Sequence, residues 1–193
     1  MRHFFGIEDE EFIRGDVPMT KKEIRMVVMN AARVEEDSVV LDVGAGTGSI
    51  SIEAAIAAPK GHVYAIERFE KATDLIRQNQ EKFGVKNLTI IEAKAPEGME
   101  DLPELDAVII GGSAGGMGTI MDEATRLLKV GGRLVVTAVT METGYTILKE
   151  LKGRPYTYEG FQMQVSRFRK AGPYHLLNPL SPIFIVTAVK QEA

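Results

Sequence analysis

The chain contains no cysteine. That excludes disulfides, thiolate metal sites and a cysteine nucleophile together, and it fits a reducing, cytoplasmic setting. No run of about 18 apolar residues occurs, so no transmembrane helix and no membrane partner are expected. The opening stretch Met1-Arg-His-Phe-Phe-Gly6 runs straight into acidic residues, and no signal-peptide core is expected there. A basic excess is also missing. Twenty-three Lys and Arg against 27 Asp and Glu leave a net charge of −4, which gives nucleic acid no global electrostatic pull. Internal repeats and low-complexity segments are absent, and no metal site is expected. What is present is 193 residues, 45% hydrophobic and 26% charged. That composition predicts one domain, 1–193, with a substantial core.

The most informative stretch is Val39-Val-Leu-Asp-Val-Gly-Ala-Gly-Thr-Gly-Ser49. An apolar run ends at Asp42, glycines follow at alternate positions, and a helical pattern begins at once. Strand, glycine turn, helix is the order by which an α/β protein brings backbone close to a nucleotide-like ligand. The spacing is G-x-G-x-G, with Ser49 where a dinucleotide fingerprint needs its third glycine. This disfavours a pyrophosphate and favours S-adenosyl-L-methionine, whose adenosine and amino-acid ends both need close backbone.

Three regions follow from the pattern. Residues 1–19 read as an irregular N-terminal arm. Residues 20–150 alternate strands and helices: a helix opened by a capping box at Thr20-Lys-Lys-Glu23, strands at 39–43, 62–66, 87–92, 105–110 and 134–139, and helices at 49–57, 70–83 and 119–128. Such alternation predicts a mostly parallel, doubly wound α/β sheet. In residues 151–193 the helices stop. Tyr156–Arg169 reads as one long strand and Pro182–Lys190 as another, which predicts an antiparallel hairpin at one edge. Five βα units plus that hairpin give seven strands in the Rossmann-like arrangement of the class I methyltransferases.

In open parallel sheets ligands sit beyond the carboxyl ends of the strands, so each strand end supplies candidates. After the first strand, Gly44, Ala45, Gly46, Thr47 and Gly48 would admit the methionine part of the cofactor. After the second, Glu67 would take the two ribose hydroxyls. After the third, Lys94 and Ala95 would border the adenine, with the Ala95 amide facing the ring. After the fourth, Gly111, Gly112 and Ser113 stand where amine methyltransferases carry Asn/Asp-Pro-Pro-Tyr. The two glycines predict room for a bulky acceptor. Arg14, Lys21, Lys22 and Arg25 near the arm, with Arg167, Arg169, Lys170 and His175 in the last region, form basic clusters suited to a polyanionic small molecule. Arg14, Lys21, Arg25 and Arg167 are the expected substrate cations.

The arm segments Gly6-Ile-Glu-Asp-Glu-Glu-Phe12, Arg14-Gly15 and Pro18-Met-Thr-Lys-Lys-Glu-Ile-Arg25 resemble the decarboxylating cobalt-precorrin-6B C15-methyltransferase family of anaerobic cobalamin biosynthesis. The resemblance continues through Asp42–Ala55, Tyr64-Ala-Ile-Glu-Arg68, Ala95-Pro-Glu97, Ile109-Ile-Gly-Gly-Ser113, Gly131-Gly-Arg133, Ala138–Thr143, Gln164-Val-Ser-Arg167 and Tyr174-His175. It implies S-adenosylmethionine binding by Thr20, the glycine loop, Glu67 and the Lys94–Ala95 turn. It also implies a polycarboxylate corrin precursor as substrate and a homotetramer, for which Phe4, Phe5 and Phe12 are candidate contact residues. One departure is visible: the family's Gly-Asp-Ala-Pro is Ala93-Lys-Ala-Pro96 here. The competing readings are a methyltransferase for another substrate such as an RNA base, a nicotinamide-dependent oxidoreductase, and a non-catalytic cofactor-binding module.

Overall fold

The structure, a computed structural model, describes residues 5–192. Phe4 and the rest of residues 1–4 therefore lie outside the described residues. A seven-stranded sheet forms the centre. Its strands are β1 (Val39–Val43), β2 (His62–Glu67), β3 (Leu88–Glu92), β4 (Leu105–Ile110), β5 (Leu128–Ala138), β6 (Tyr156–Met163) and β9 (Ile183–Lys190). The spatial order is β3-β2-β1-β4-β5-β9-β6; β1 to β5 are parallel and β9 is antiparallel to both its neighbours. The doubly wound, mostly parallel α/β architecture is thus as expected.

The alternation of side chains along each strand separates two cores. Val40, Val63, Ala65, Ala107, Ile109 and Val135 face the helices α1 (Lys22–Ala32), α2 (Ser49–Ala57) and α3 (Glu70–Lys82). Leu41, Val43, Val108, Ile110, Leu134 and Val136 face α4 (Met117–Leu127) and α5 (Met141–Leu151). Because the sheet is covered on both faces, its strands read as unbroken apolar runs. The chain direction of winding changes between β1 and β4, and that is where a crevice opens at the carboxyl ends of the strands.

Three local expectations are corrected. The capping box does not form: α1 starts at Lys22, its N-cap residue Lys21 offers no side-chain cap, and the Lys22 amide donates to Asp9 Oδ1 at 2.9 Å. An acid from the arm, held in a short 3-10 turn at Asp9–Glu11, replaces the local cap. Strand β5 begins at Leu128, six residues earlier than the pattern suggests. The register slips between Leu105↔Leu128 and Ala107↔Arg133, so Gly131-Gly132 forms a bulge inside the strand and does not end it.

The long strand Tyr156–Arg169 is in fact two. β6 ends at Met163, while β7 (Ser166–Ala171) and β8 (Tyr174–Pro179) pair only with each other, as a ribbon. The Leu180 amide donates to the Val165 carbonyl at 2.8 Å and pinches the ribbon's base shut. Alternation persists through the break, so periodicity alone could not reveal it. The expected antiparallel edge pair is present as β6 and β9, with this ribbon inserted between them.

Candidate functional site

The crevice is a cavity of about 1,070 Å³ at the carboxyl ends of β1, β2, β4 and β5. The glycine loop forms its floor. The Gly44 and Ala45 amides donate to the Ile66 carbonyl at 2.9 and 3.2 Å, folding the loop over the end of β2. Gly44 has φ +72°, and a β-carbon there would lie 2.7 Å from the Gly112 carbonyl oxygen. Glycine at 44 is thus required twice, for a left-handed backbone and for the close approach of the turn after β4.

Glu67, 7% exposed at the end of β2, organises the next wall. Its Oε2 accepts from the Gly46 amide at 3.0 Å, and its Oε1 accepts from the Arg68 and Phe69 amides at 2.8 and 3.0 Å. Three of the roughly four acceptor positions of a carboxylate are thereby filled. The remaining one is on Oε2. Beneath it Asp42 is fully buried on the α2 side of β1 and accepts from the Ser51 hydroxyl at 2.5 Å. Burial, opposed by the hydrogen bonds from Ser51 and reinforced by the Glu67 charge, pushes the Asp42 carboxyl up to about 6.

Most of the expected strand-end residues meet here. Thr20, Gly44, Ala45, Gly46, Glu67, Lys94, Ala95 and Gly111 line the cavity, as do Lys21, Gly112 and Ser113. Thr47 and Gly48 do not. Thr47 is buried behind the loop with its carbonyl accepting from Asn79 Nδ2 at 3.0 Å, and its Oγ1 has no hydrogen-bond partner in the protein. Gly48 is the N-cap of α2, with φ +75°, where a β-carbon would press on Ile76.

The expected substrate cations are corrected more heavily. Arg14 is exposed and does not line the cavity. Arg25 has 0% exposure; its Nε donates to Glu53 at 2.9 Å, its Nη1 to Asp9 at 2.9 Å, and its guanidinium also to the Ile7 and Thr20 carbonyls. Four of its five N–H donors are engaged, and it does not line the cavity, so Arg25 holds the arm and not a substrate. Arg167 donates to Glu23 at 2.9 and 2.6 Å and to Asp9 at 2.8 Å. It does not line the cavity. Phe12, a candidate subunit contact, is buried in the protomer's own core against Phe83 and under Arg25.

Residues outside the expected set also line the crevice. Arg68 and Phe69 follow Glu67, with the guanidinium 4.3 Å from the ring centroid; reading two positions past the strand end would have found them. Val139 after β5 could have been found by the same rule. Val165, Leu180 and Ser181 carried no such signal. They reach the crevice because the ribbon's base folds back onto it, which is a tertiary event.

The fold is that of the class I S-adenosylmethionine-dependent methyltransferases. Within that class the chain belongs to the precorrin methyltransferase family, whose domain it matches over residues 11–190. It is 37% identical to the cobalt-precorrin-6B C(15)-methyltransferase (decarboxylating) of Salmonella typhimurium, over 96% of this chain and 97% of that one. A probable enzyme of the same description from Sulfolobus acidocaldarius is 39% identical, over 96% and 98%. Among solved structures, precorrin-6y C5,15-methyltransferase from Geobacter metallireducens superposes with a TM-score of 0.92 at 38% identity, covering 98% of this chain and 100% of that chain. Precorrin 8W decarboxylase from Methanobacterium thermoautotrophicum gives 0.90 at 30%, covering 94% and 98%.

Proposed function

We propose that this chain methylates carbon 15 of cobalt-precorrin-6B and removes the carboxyl of its C12 acetate, with S-adenosyl-L-methionine bound in the crevice. The single observation that carries the reading is the cradle: a glycine loop closed against Gly112, beside a buried acid at the end of β2, opening into a cavity larger than one cofactor requires. At about 1,070 Å³ it lies just above the ~300–1,000 Å³ range of single-ligand sites, which leaves room for part of a macrocycle.

The residues present fit the cofactor. The loop from Gly44 to Gly46 admits main chain without β-carbon clash, and the start of α2 presents free amides to a carboxylate. Glu67 Oε2 retains one acceptor position for a ribose hydroxyl. Ala95 and Phe69 border the position of the adenine. When bound, S-adenosylmethionine supplies a methyl group already activated on a sulfonium, so the chain need not provide a nucleophile. Its task is to align the acceptor carbon and exclude water, and positioning of this kind contributes about 7–11 kcal/mol.

Gly112 and Ser113 leave space beside the methyl group. Among the cations lining the crevice, Lys21, Arg68 and Lys94 suit the carboxylates of the macrocycle. Val139, Val165, Leu180 and Ile183 make an apolar wall, against which an ionised acetate is disfavoured and its loss as carbon dioxide favoured.

A homotetramer is part of the same proposal. Support comes from the ribbon, where Phe168, Tyr174 and Leu177 are 78%, 71% and 65% exposed. We also place the enzyme in the cytoplasm; no helix among the described residues is long and apolar enough to cross a membrane.

Calorimetric titration with S-adenosylhomocysteine and, in parallel, with NADH tests the cofactor. Saturable binding of the former alone is expected. Incubation with S-adenosylmethionine and cobalt-precorrin-6B tests the reaction, and the product should carry one methyl group more and one carboxyl less. Binding without product would leave a cofactor module acting on something else.

A further inference from the structure

One wall of the crevice is the arm. Asp16, Val17, Pro18, Met19, Thr20 and Lys21 all line it. A β-carbon on Gly46 would lie 3.2 Å from the Pro18 carbonyl oxygen, so this segment rests directly on the glycine loop. None of these residues is in regular structure. Their position depends on what holds the segment at each end.

The early end is fixed by Asn79, whose side chain accepts from the Ile13 amide at 2.7 Å and donates to the Ile13 carbonyl at 3.0 Å. Further back, Glu53 accepts from the Gly6 and Ile7 amides at 3.0 and 3.1 Å. The late end is fixed by Asp9, which caps Lys22 at 2.9 Å, and by Arg25, which donates to the Thr20 carbonyl. Asp9 is 2% exposed and carries two guanidinia, Arg25 from α1 and Arg167 from the ribbon. Burial alone would raise the Asp9 carboxyl; the bonds from Arg167 and Arg25 outweigh it and hold the group below its ordinary value.

We propose that Arg167 is a positioning residue: reaching from the ribbon to Asp9, it fixes the late end of the arm, and so the placement of the ribbon sets the affinity of the crevice for its cofactor. This rests on the cofactor reading above. It goes beyond that reading because it makes the ribbon, which touches the crevice with its base, a determinant of cofactor affinity through its shaft as well. Arg167 suits the part. Its side chain is 34% exposed and that of Glu23 is 26% exposed, and buried Asp9 retains Arg25, so its removal leaves no buried charge without a counter-charge. Asp9 keeps Arg25 in that case, but loses the partner that fixes its second oxygen.

The test uses the full chain with Arg167→Ala, Arg167→Lys and, as a control on the same ribbon strand, Arg169→Ala. S-adenosylhomocysteine affinity is measured by calorimetry well below the melting temperature, and amide exchange is followed at Lys22. Arg167→Ala is expected to weaken binding by about two- to thirtyfold, to speed exchange at Lys22, and to lower the melting temperature only modestly, because Asp9 keeps Arg25 but one of its buried oxygens loses a donor. Arg167→Lys, a point charge in place of a fork, should fall between. Arg169→Ala should match the wild type. Equal affinity in Arg167→Ala and wild type overturns the inference alone, even if exchange at Lys22 rises. A wild-type chain that binds no S-adenosylhomocysteine removes the cofactor reading, and the inference falls with it.

Discussion

Gly44 and Gly112 touch: no β-carbon fits on the first without striking the backbone of the second, at 2.7 Å from its oxygen and 2.8 Å from its nitrogen. Gly44→Ala must therefore push the turn after β4 away from the loop after β1, besides adopting a left-handed backbone that costs about 1–2 kcal/mol. The variant should melt lower and bind S-adenosylhomocysteine at least tenfold more weakly. Gly112→Ala, where a β-carbon meets nothing within 4 Å, should affect stability far less. If both variants behave alike in melting curves, the contact does not shape the crevice.

Glu67 accepts from three backbone amides before any ligand arrives. Glu67→Ala leaves those donors without their acceptor, at ~1–3 kcal/mol for a buried group left unpaired. Loss of ligand binding should thus come with a loss of stability. Glu67→Gln keeps the shape but turns one oxygen into a donor, and should cost less stability than Glu67→Ala. Denaturant titration of the ligand-free proteins decides it; an Ala variant as stable as wild type would mean the loop is not hung on this carboxylate.

Arg25 bridges Glu53 and Asp9 with no exposure of its own. Arg25→Ala leaves Glu53 buried without its counter-charge, a change of about 3–5 kcal/mol. We expect a chain that is largely unfolded or strongly destabilised by urea titration. A well-folded Arg25→Ala variant whose defect lay only in the Michaelis constant for the corrinoid would restore the substrate role that the structure removes.

Asp42 gives a pH dependence of defined sign. Its carboxyl is raised by burial from 3.8 to about 6, so the folded state holds a proton that the unfolded chain releases earlier. Stability falls as pH rises through the window from about 4 to 6, by up to ~3 kcal/mol for a shift of roughly two units. Asp42→Asn should flatten that slope. Cationic ligands favour the ionised form, so S-adenosylmethionine affinity should rise through the same window in the wild type and not in the variant. A difference in stability between wild type and Asp42→Asn that stays constant from pH 4 to 7 would contradict the assignment.

The ribbon supplies the test of assembly. Phe168→Asp or Leu177→Asp places a charge on an apolar face that is open in the single chain. If the proposed homotetramer forms through this face, light scattering should show smaller species in the variants than in the wild type, with the circular dichroism of each protomer unchanged. Tetramers that persist in both variants would move the contact elsewhere.

These particulars show what a sequence can disclose. The strand ends at Gly44, Glu67, Ala95 and Gly111 were legible because strand, turn and helix are local, and because the rule that ligands gather at carboxyl ends needs no tertiary knowledge. The expected cations were not legible in the same way. Arg25 looks like a free charge on a helix until Glu53, 28 positions away, and Asp9, 16 positions away, close on it. Arg167 meets partners 144 and 158 positions distant. Thr20 matches a capping pattern, yet the helix starts at Lys22 and Asp9, from the arm, caps its first amide. Charge pairs and caps drawn from far along the chain leave no periodic trace.

The order of strands has a consequence for biosynthesis. β9 comes last along the chain but lies between β5 and β6, bonded to both. As the polypeptide leaves the ribosome, β1 to β5 with their helices can assemble in turn, while β6 must wait for a neighbour not yet made. A chain cut before Ile183 would lose the edge pair together and uncover β5, whose bare margin invites strands from other molecules.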